Sequence, residues 1–139
     1  GRCYIVAYAT LDHSADSAPA ALLGSYTEEG YNDYGAHYHI MRLFGWIKVD
    51  EAYDLLIEAL NNKQPQFQKS RIAAAIALGE LGNPNAIPAL KASLAAPIWD
   101  LQYATILALT KLGESASAIA SEIDTDSADW LVQEKLKAL

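Results

Sequence analysis

An internal repeat constrains the fold of this chain more than any other sequence feature. Residues 70–94 resemble residues 100–123 at an offset of 31, and both segments carry a Leu-Gly pair at the same point. An offset of 34 aligns residues 44–60 with residues 78–94 in the same way. Repeats of this length are typical of solenoids, in which each unit buries its apolar face against its neighbours. The chain is therefore predicted to stack similar units along one axis.

The length of the chain and the length of the repeat together predict the domain organisation. The 139 residues amount to a single domain on the usual size range. The chain does not begin with Met, so we expect a piece of a longer array. The predicted fold is all-α, a right-handed α–α superhelix of about four helix pairs. It forms one domain, residues 1–139, with approximate repeats at residues 1–34, 35–68, 69–99 and 100–139.

Each unit carries the signals of two helices joined by a short turn. Ala-rich residues 72–81 favour a first helix whose small side chains let a neighbouring helix approach closely. Gly82 suits the left-handed position after a helix end, Asn83 can cap the next helix, and Pro84 fits its first turn. By the same reasoning Asp50 is the predicted cap one unit earlier, and Asp126 is the predicted cap of the last helix. The pattern also predicts a set of buried apolar residues: Leu78, Leu81, Ile87, Leu90, Leu109 and Leu112.

Composition excludes several classes of protein. Hydrophobic residues make up 52% of the chain, which argues against a disordered segment. The formal net charge of −7 disfavours nonspecific nucleic-acid binding, which needs clustered Lys and Arg. Apolar runs such as residues 72–78 are far shorter than the ~18 residues of a membrane span. Cys3 is the only cysteine, so it is expected to be a free thiol in a cytoplasmic protein without a signal peptide.

The sequence AAxALGxLGxPxAIPxL, found within residues 73–90, resembles the short HEAT-like repeats of the phycobilisome lyase HEAT-like family. The match is closest over residues 70–94 and extends over residues 35–60 and 101–123. The resemblance implies an array of HEAT-like helix pairs. It also implies a context of phycobiliprotein handling, because the family includes bilin lyase subunits, which attach linear tetrapyrroles to phycobiliproteins or remove them.

The resemblance leaves two functions open. One is a partner-dependent bilin lyase subunit or phycobilisome-associated factor, with a linear tetrapyrrole as transferred ligand and no resident cofactor. Its protein partner would be a phycobiliprotein subunit or a second HEAT-repeat subunit. The other is a generic HEAT scaffold without pigment chemistry, since many repeats of this kind only bind proteins.

An aromatic row in the second unit is the best candidate for a binding site. Tyr34, Tyr38 and Arg42 are spaced by four residues, Trp46 continues the row, and His37 flanks it. Tyr, Trp and Arg dominate the anchors of protein interfaces. Arg42 is also the only Arg between Arg2 and Arg71. In one interpretation the rings are buried between repeats, and Arg42 pairs with a carboxylate such as Asp12 or Asp50. In the other, the row is accessible and meets a carboxylate or propionate of a partner.

The sequence contains no pattern that indicates metal binding or catalysis. His37 and His39 would point to different sides of a helix, so we predict no metal site. No nucleophile or phosphate-binding motif is present, and the pair Glu28-Glu29 falls in a Gly-bounded segment typical of a solvated loop. We therefore predict no catalytic residue.

The second helices offer an alternative binding surface. In solenoids they usually line the concave face, and here they are predicted near residues 51–60, 85–94 and 115–123. The polar positions expected to be exposed on them are Glu51, Asp54, Glu58 and Lys91, together with Ser93 and Glu122.

Overall fold

A computed structural model describes residues 34–139, with side chains described from residue 37 onward. These residues form helices and no strand, which confirms the predicted all-α solenoid class; its handedness stays a prediction. The first helix of each unit is α1 (Tyr34–Trp46), α3 (Gln68–Leu81) or α5 (Trp99–Lys111). The second helices and the closing helix are α2 (Tyr53–Asn61), α4 (Ile87–Ser93), α6 (Ala116–Ala120) and α7 (Trp130–Lys137).

Short 3₁₀ turns lead into the helices at Asp50–Ala52, Pro65–Phe67 and Pro84–Ala86. The predicted turn after α3 is confirmed. Gly82 has a φ of 75° and donates its N–H to the Leu78 carbonyl, and the Asn83 side chain accepts from the Asn85 N–H at 3.0 Å. Local turn chemistry therefore ends α3 and begins the next turn at these residues.

Two of the predicted caps are wrong. Asp50 does not cap α2, because it lies inside a 3₁₀ turn whose preceding residue is Val49. Asp126 does not cap α7, since the chain first forms a separate turn in which Ser127 donates to the Asp124 carboxylate at 2.8 Å. The cap of α7 is Asp129, whose carboxylate accepts from the Leu131 N–H at 2.9 Å.

The first helices pack on one another at very short range. A Cβ added to Gly45 would lie 2.6 Å from the Ala77 Cα, and one added to Gly79 would lie 2.7 Å from the Ala108 Cα. These glycines let α1 approach α3 and let α3 approach α5 more closely than any side chain would allow. The second helices α2 and α4 pack on one another much less extensively.

The core lies between the layer of first helices and the layer of second helices. Of the residues predicted to be buried, Leu78, Leu90 and Leu109 have no exposed surface. The other three, at helix ends, are half-buried and pack against this core: Leu81, Ile87 and Leu112.

Buried side chains connect each unit to the one before it. The Arg71 Nε on α3 donates to the Leu60 carbonyl at the end of α2, at 2.9 Å. Gln102, 31 residues later on α5, donates its Nε2 to the Leu94 carbonyl just after α4, at 3.0 Å. Both side chains are buried, and burial lowers the pKa of the Arg71 guanidinium from its ordinary value. His37 stands 34 residues before Arg71 and is buried as well.

Within residues 34–139, no helix has the length and apolar character needed to cross a lipid bilayer. The first predicted unit, apart from its last residue, lies outside the described residues. So do Cys3, Asp12 and the Glu28-Glu29 pair.

Candidate functional site

The aromatic row predicted in the second unit lies on α1. Trp46 is 69% exposed, Tyr38 and Arg42 are half-buried, and His37 is buried on the adjoining side of the helix. Tyr34 begins α1, but its side chain lies outside the described part. The row is therefore accessible at Arg42 and Trp46, while Tyr38 also packs against the core.

Arg42 pairs with Glu80, a carboxylate of the next unit. Its Nη1 lies 3.5 Å from the Oε1 of Glu80 on α3. Among the described residues Arg42 has no ion pair with Asp50, and the predicted alternative Asp12 lies outside them. Glu80 stands 34 residues after Trp46 and thus occupies the same position of the next unit. An ion pair across neighbouring units joins the two first helices on their accessible side.

The repeat offsets extend the row into a larger surface. Moving from Tyr38, Arg42 and Trp46 by 34 and then by 31 residues reaches equivalent positions on α3 and α5. All nine positions are half-buried or exposed, in contrast to the buried residues on the opposite side of these helices. We call this surface the first-helix face; it consists of Tyr38, Arg42, Trp46, Ile72, Ile76, Glu80, Tyr103, Leu107 and Lys111.

The first-helix face combines the residue types of a protein interface. It is apolar at Ile72, Ile76 and Leu107, aromatic at its Tyr and Trp positions, and charged toward the C-terminal ends of the helices. The spacing by four residues predicts only the part of this face that lies on α1. The repeat offset would have found the rest, since the same shift that aligned the Leu-Gly turns also aligns these nine positions.

The two histidines of the HxH string are on different sides of α1, as predicted. His37 is buried against the ring of Phe67, with centroids 5.9 Å apart, whereas His39 is exposed. No group of three or more His, Cys, Asp or Glu side chains within the described residues could hold a metal ion.

The alternative surface on the second helices is only partly as predicted. Glu51, Asp54, Glu58 and Glu122 are exposed. Lys91 is half-buried and forms an ion pair of 2.7 Å with Glu114. The exposure predicted for Ser93 is wrong: its hydroxyl is buried, donates to the Leu90 carbonyl at 2.7 Å, and lies 3.2 Å from the Thr105 hydroxyl. Ser93 faces α5 because it lies three residues after the buried Leu90 on α4.

Helix pairs stacked so that each contacts its neighbours define the class of α-solenoid repeat proteins. The profile of the HEAT repeats matches residues 21–110 and 64–139. The chain belongs to the HEAT repeat family.

Two curated relatives are similar to the chain. It is 54% identical over 135 residues to "Uncharacterized phycocyanin operon protein Y" of Pseudanabaena tenuis (strain PCC 7409). It is 33% identical over 132 residues to "Bilin biosynthesis protein CpeY" of Synechococcus sp. (strain WH8020). These alignments cover 97% and 88% of this chain and 31% of each relative, so the chain spans about a third of their length. They bear out the resemblance to the phycobilisome lyase HEAT-like family. No solved structure matches the chain significantly.

Proposed function

We propose that this chain is a protein-binding array of a phycobiliprotein-handling HEAT-repeat protein, and that it acts as part of a partner-dependent bilin lyase subunit. Its partner would be a phycobiliprotein subunit or a second HEAT-repeat subunit, and a linear tetrapyrrole would be the ligand transferred. The observation that carries the proposal is the continuous first-helix face, in a chain 54% identical to a protein named for the phycocyanin operon.

The packing of the layers supports the first-helix face as the docking surface. The first helices approach to the limit that Gly45 and Gly79 allow, so their accessible sides adjoin one another across α1, α3 and α5. We propose this surface as the docking site, in preference to the predicted concave face of the second helices.

The residues of the face supply the expected binding chemistry. Tyr38 and Trp46 offer large rigid side chains that bind at low entropic cost. Arg42 is held by Glu80 at 3.5 Å, a separation too long for a strong charge-assisted hydrogen bond. A partner carboxylate can therefore compete for this guanidinium.

Binding to immobilised chain tests the docking function. Isolated phycobiliprotein subunits without pigment should bind the parent, and Tyr38→Ala and Arg42→Ala should each weaken binding at least about tenfold, as expected for interface anchors. Lys63→Ala, an exposed cation outside the face, is the matched control for charge. Glu58→Ala is the control for the second-helix layer. Melting temperatures of all variants separate lost binding from lost folding.

Three results would contradict parts of the proposal. Loss of binding in Glu58→Ala but not in Tyr38→Ala would move the site to the second helices. Unfolding of both Tyr38→Ala and Arg42→Ala would assign the row to the core. Failure of the parent to bind any phycobiliprotein subunit would favour the generic HEAT scaffold.

The lyase role needs a separate measurement. The chain, a phycobiliprotein subunit and a free linear tetrapyrrole are incubated together, with and without a second HEAT-repeat subunit. Colour that stays with the phycobiliprotein subunit after denaturation supports the role. Binding of the subunit without any such colour transfer would leave a docking protein and refute a lyase role for this part.

A further inference from the structure

An open groove of about 420 Å³ lies at one end of the first-helix face. It is lined by Trp46, Glu80 and Lys111, which occupy the same position in three successive units, and by Lys48 beside them. Gly45 and Gly79, at the close approach of the first helices, also line it. One repeated position thus contributes an aromatic ring, a carboxylate and an ammonium group to a single groove.

Lys48 has an unusual backbone conformation. Its φ is 55°, in the left-handed region, and it is the only non-glycine residue in that region within the described part of the chain. The equivalent positions of the next two units are Gly82 and Gly113, with φ of 75° and 91°. L-residues with a Cβ are disfavoured there, and such strain tends to concentrate at functional sites. A lysine therefore stands in this groove where glycine would fit the turn better.

The groove also carries unbalanced positive charge. Neither Lys48 nor Lys111 has an ion pair with any of the described residues. Glu80 is the one acidic residue of the lining and lies 3.5 Å from Arg42, so three cations stand against one carboxylate at this end of the face. The chain as a whole has a formal net charge of −7. Within the described part of the chain, two ammonium groups without an ion pair thus lie beside an exposed indole, where the local charge is opposite to that of the whole protein.

We propose that this groove binds a carboxylate carried on a flat, apolar body. The ammonium groups of Lys48 and Lys111 attract the carboxylate, and the Trp46 indole packs against the body. Resting on the proposed function, the ligand is a linear tetrapyrrole bound through a propionate group. This makes the groove the pigment-binding end of a face that otherwise contacts protein.

Two pigments that differ only in their carboxylates measure how much the carboxylates contribute to binding. Biliverdin carries two propionate groups, and biliverdin dimethyl ester keeps the same conjugated body without their charge. Titration into the parent chain, followed by tryptophan fluorescence and pigment absorption, should show at least about tenfold weaker binding of the ester. Raising the salt concentration should weaken binding of the diacid more than that of the ester.

Variants identify the residues involved. Lys48→Gly and Lys111→Gln should each weaken biliverdin binding about fivefold or more, while the matched control Lys63→Gln should bind like the parent. Lys48→Gly should melt no lower than the parent, since glycine suits the positive φ, so its loss of binding cannot be attributed to unfolding. Trp46→Phe should retain most of the binding but reduce the quenching of tryptophan fluorescence.

Equal affinity for the diacid and the ester would overturn the proposal, as would unchanged binding in both lysine variants. Neither result would contradict the proposed docking function. That function is supported if the parent chain binds phycobiliprotein subunits and the Tyr38→Ala variant fails to bind them. Conversely, biliverdin binding that depends on Lys48 and Lys111 supports the groove even where no phycobiliprotein subunit binds. The two proposals therefore fail in distinguishable ways.

Discussion

Replacing Gly79 by Ala tests the close approach of α3 and α5. In an isolated helix the substitution would stabilise by about 1 kcal/mol, because Ala has the higher helix propensity. In this fold the new Cβ would lie 2.7 Å from the Ala108 Cα and 2.8 Å from the Ala108 Cβ. Carbon atoms pack best at about 3.5–4.0 Å, so the two helices would have to separate by about 1 Å.

The expected net effect is destabilising. Overpacking of a core costs about 1–3 kcal/mol, and the upper end applies because the obstructing atoms belong to the Ala108 backbone and its Cβ, which cannot rotate away. Subtracting the helix-propensity gain leaves a loss of about 2 kcal/mol in the free energy of unfolding. For a domain of this size that corresponds to a melting temperature lower by about 8 °C.

Chemical and thermal denaturation followed by circular dichroism would measure the loss. Ala108→Gly removes the contact at 2.8 Å but leaves the Cα at 2.7 Å. Gly79→Ala should therefore cost less in the Ala108→Gly background than in the parent, while still costing something, and the double-mutant cycle measures this difference. The control Gly82→Ala should destabilise through its φ of 75° alone and show no coupling to Ala108→Gly, since nothing lies within 4 Å of its added Cβ. A Gly79→Ala variant as stable as the parent would refute the close packing of the first helices.

Three further substitutions have defined outcomes in equilibrium denaturation. Leu90→Ala, at a position without exposed surface, should cost about 2–5 kcal/mol; a loss below 1 kcal/mol would contradict its place in the core. Arg71→Met leaves the Leu60 carbonyl without its buried donor and should cost about 1–3 kcal/mol, whereas Arg71→Gln should cost less. Equal losses in both would show that the hydrogen bond does not matter. Lys91→Met should cost about 1 kcal/mol through its ion pair with Glu114, and the difference should shrink in 1 M salt; a difference independent of salt would instead assign the loss to packing.

Much of the fold could be predicted because its determinants are local. The Gly82, Asn83 and Pro84 turn acts through its own backbone and one side chain, so three residues suffice to predict it. The positions of Asp50 and Asp126 could not be judged in this way. Whether an aspartate caps a helix depends on the residue at which the preceding turn ends, and in both places the turn ends elsewhere.

The candidate site also has features that are set locally and features that depend on contacts between units. The spacing of Tyr38, Arg42 and Trp46 by four residues was enough to predict one row on one helix. The pairing of Arg42 with Glu80 is a contact between units, and spacing within a single helix contains no information about it. The buried position of Ser93 is unpredictable for a related reason. A polar residue on an amphipathic helix is expected to face solvent unless another helix supplies a hydrogen-bonding partner, as Thr105 on α5 does here.

The buried donors at Arg71 and Gln102 have a consequence for how the array unfolds. Each side chain donates a hydrogen bond to a backbone carbonyl of the preceding unit: Arg71 to Leu60, and Gln102 to Leu94. If the unit carrying Gln102 melted, the end of α4 would lose its hydrogen bond as well as its apolar neighbour. Stability is thus shared through nearest-neighbour coupling that runs from each unit to the one before it. We expect these units to melt in one cooperative transition, and hydrogen exchange at the ends of α2 and α4 to report the opening of the next unit along the chain.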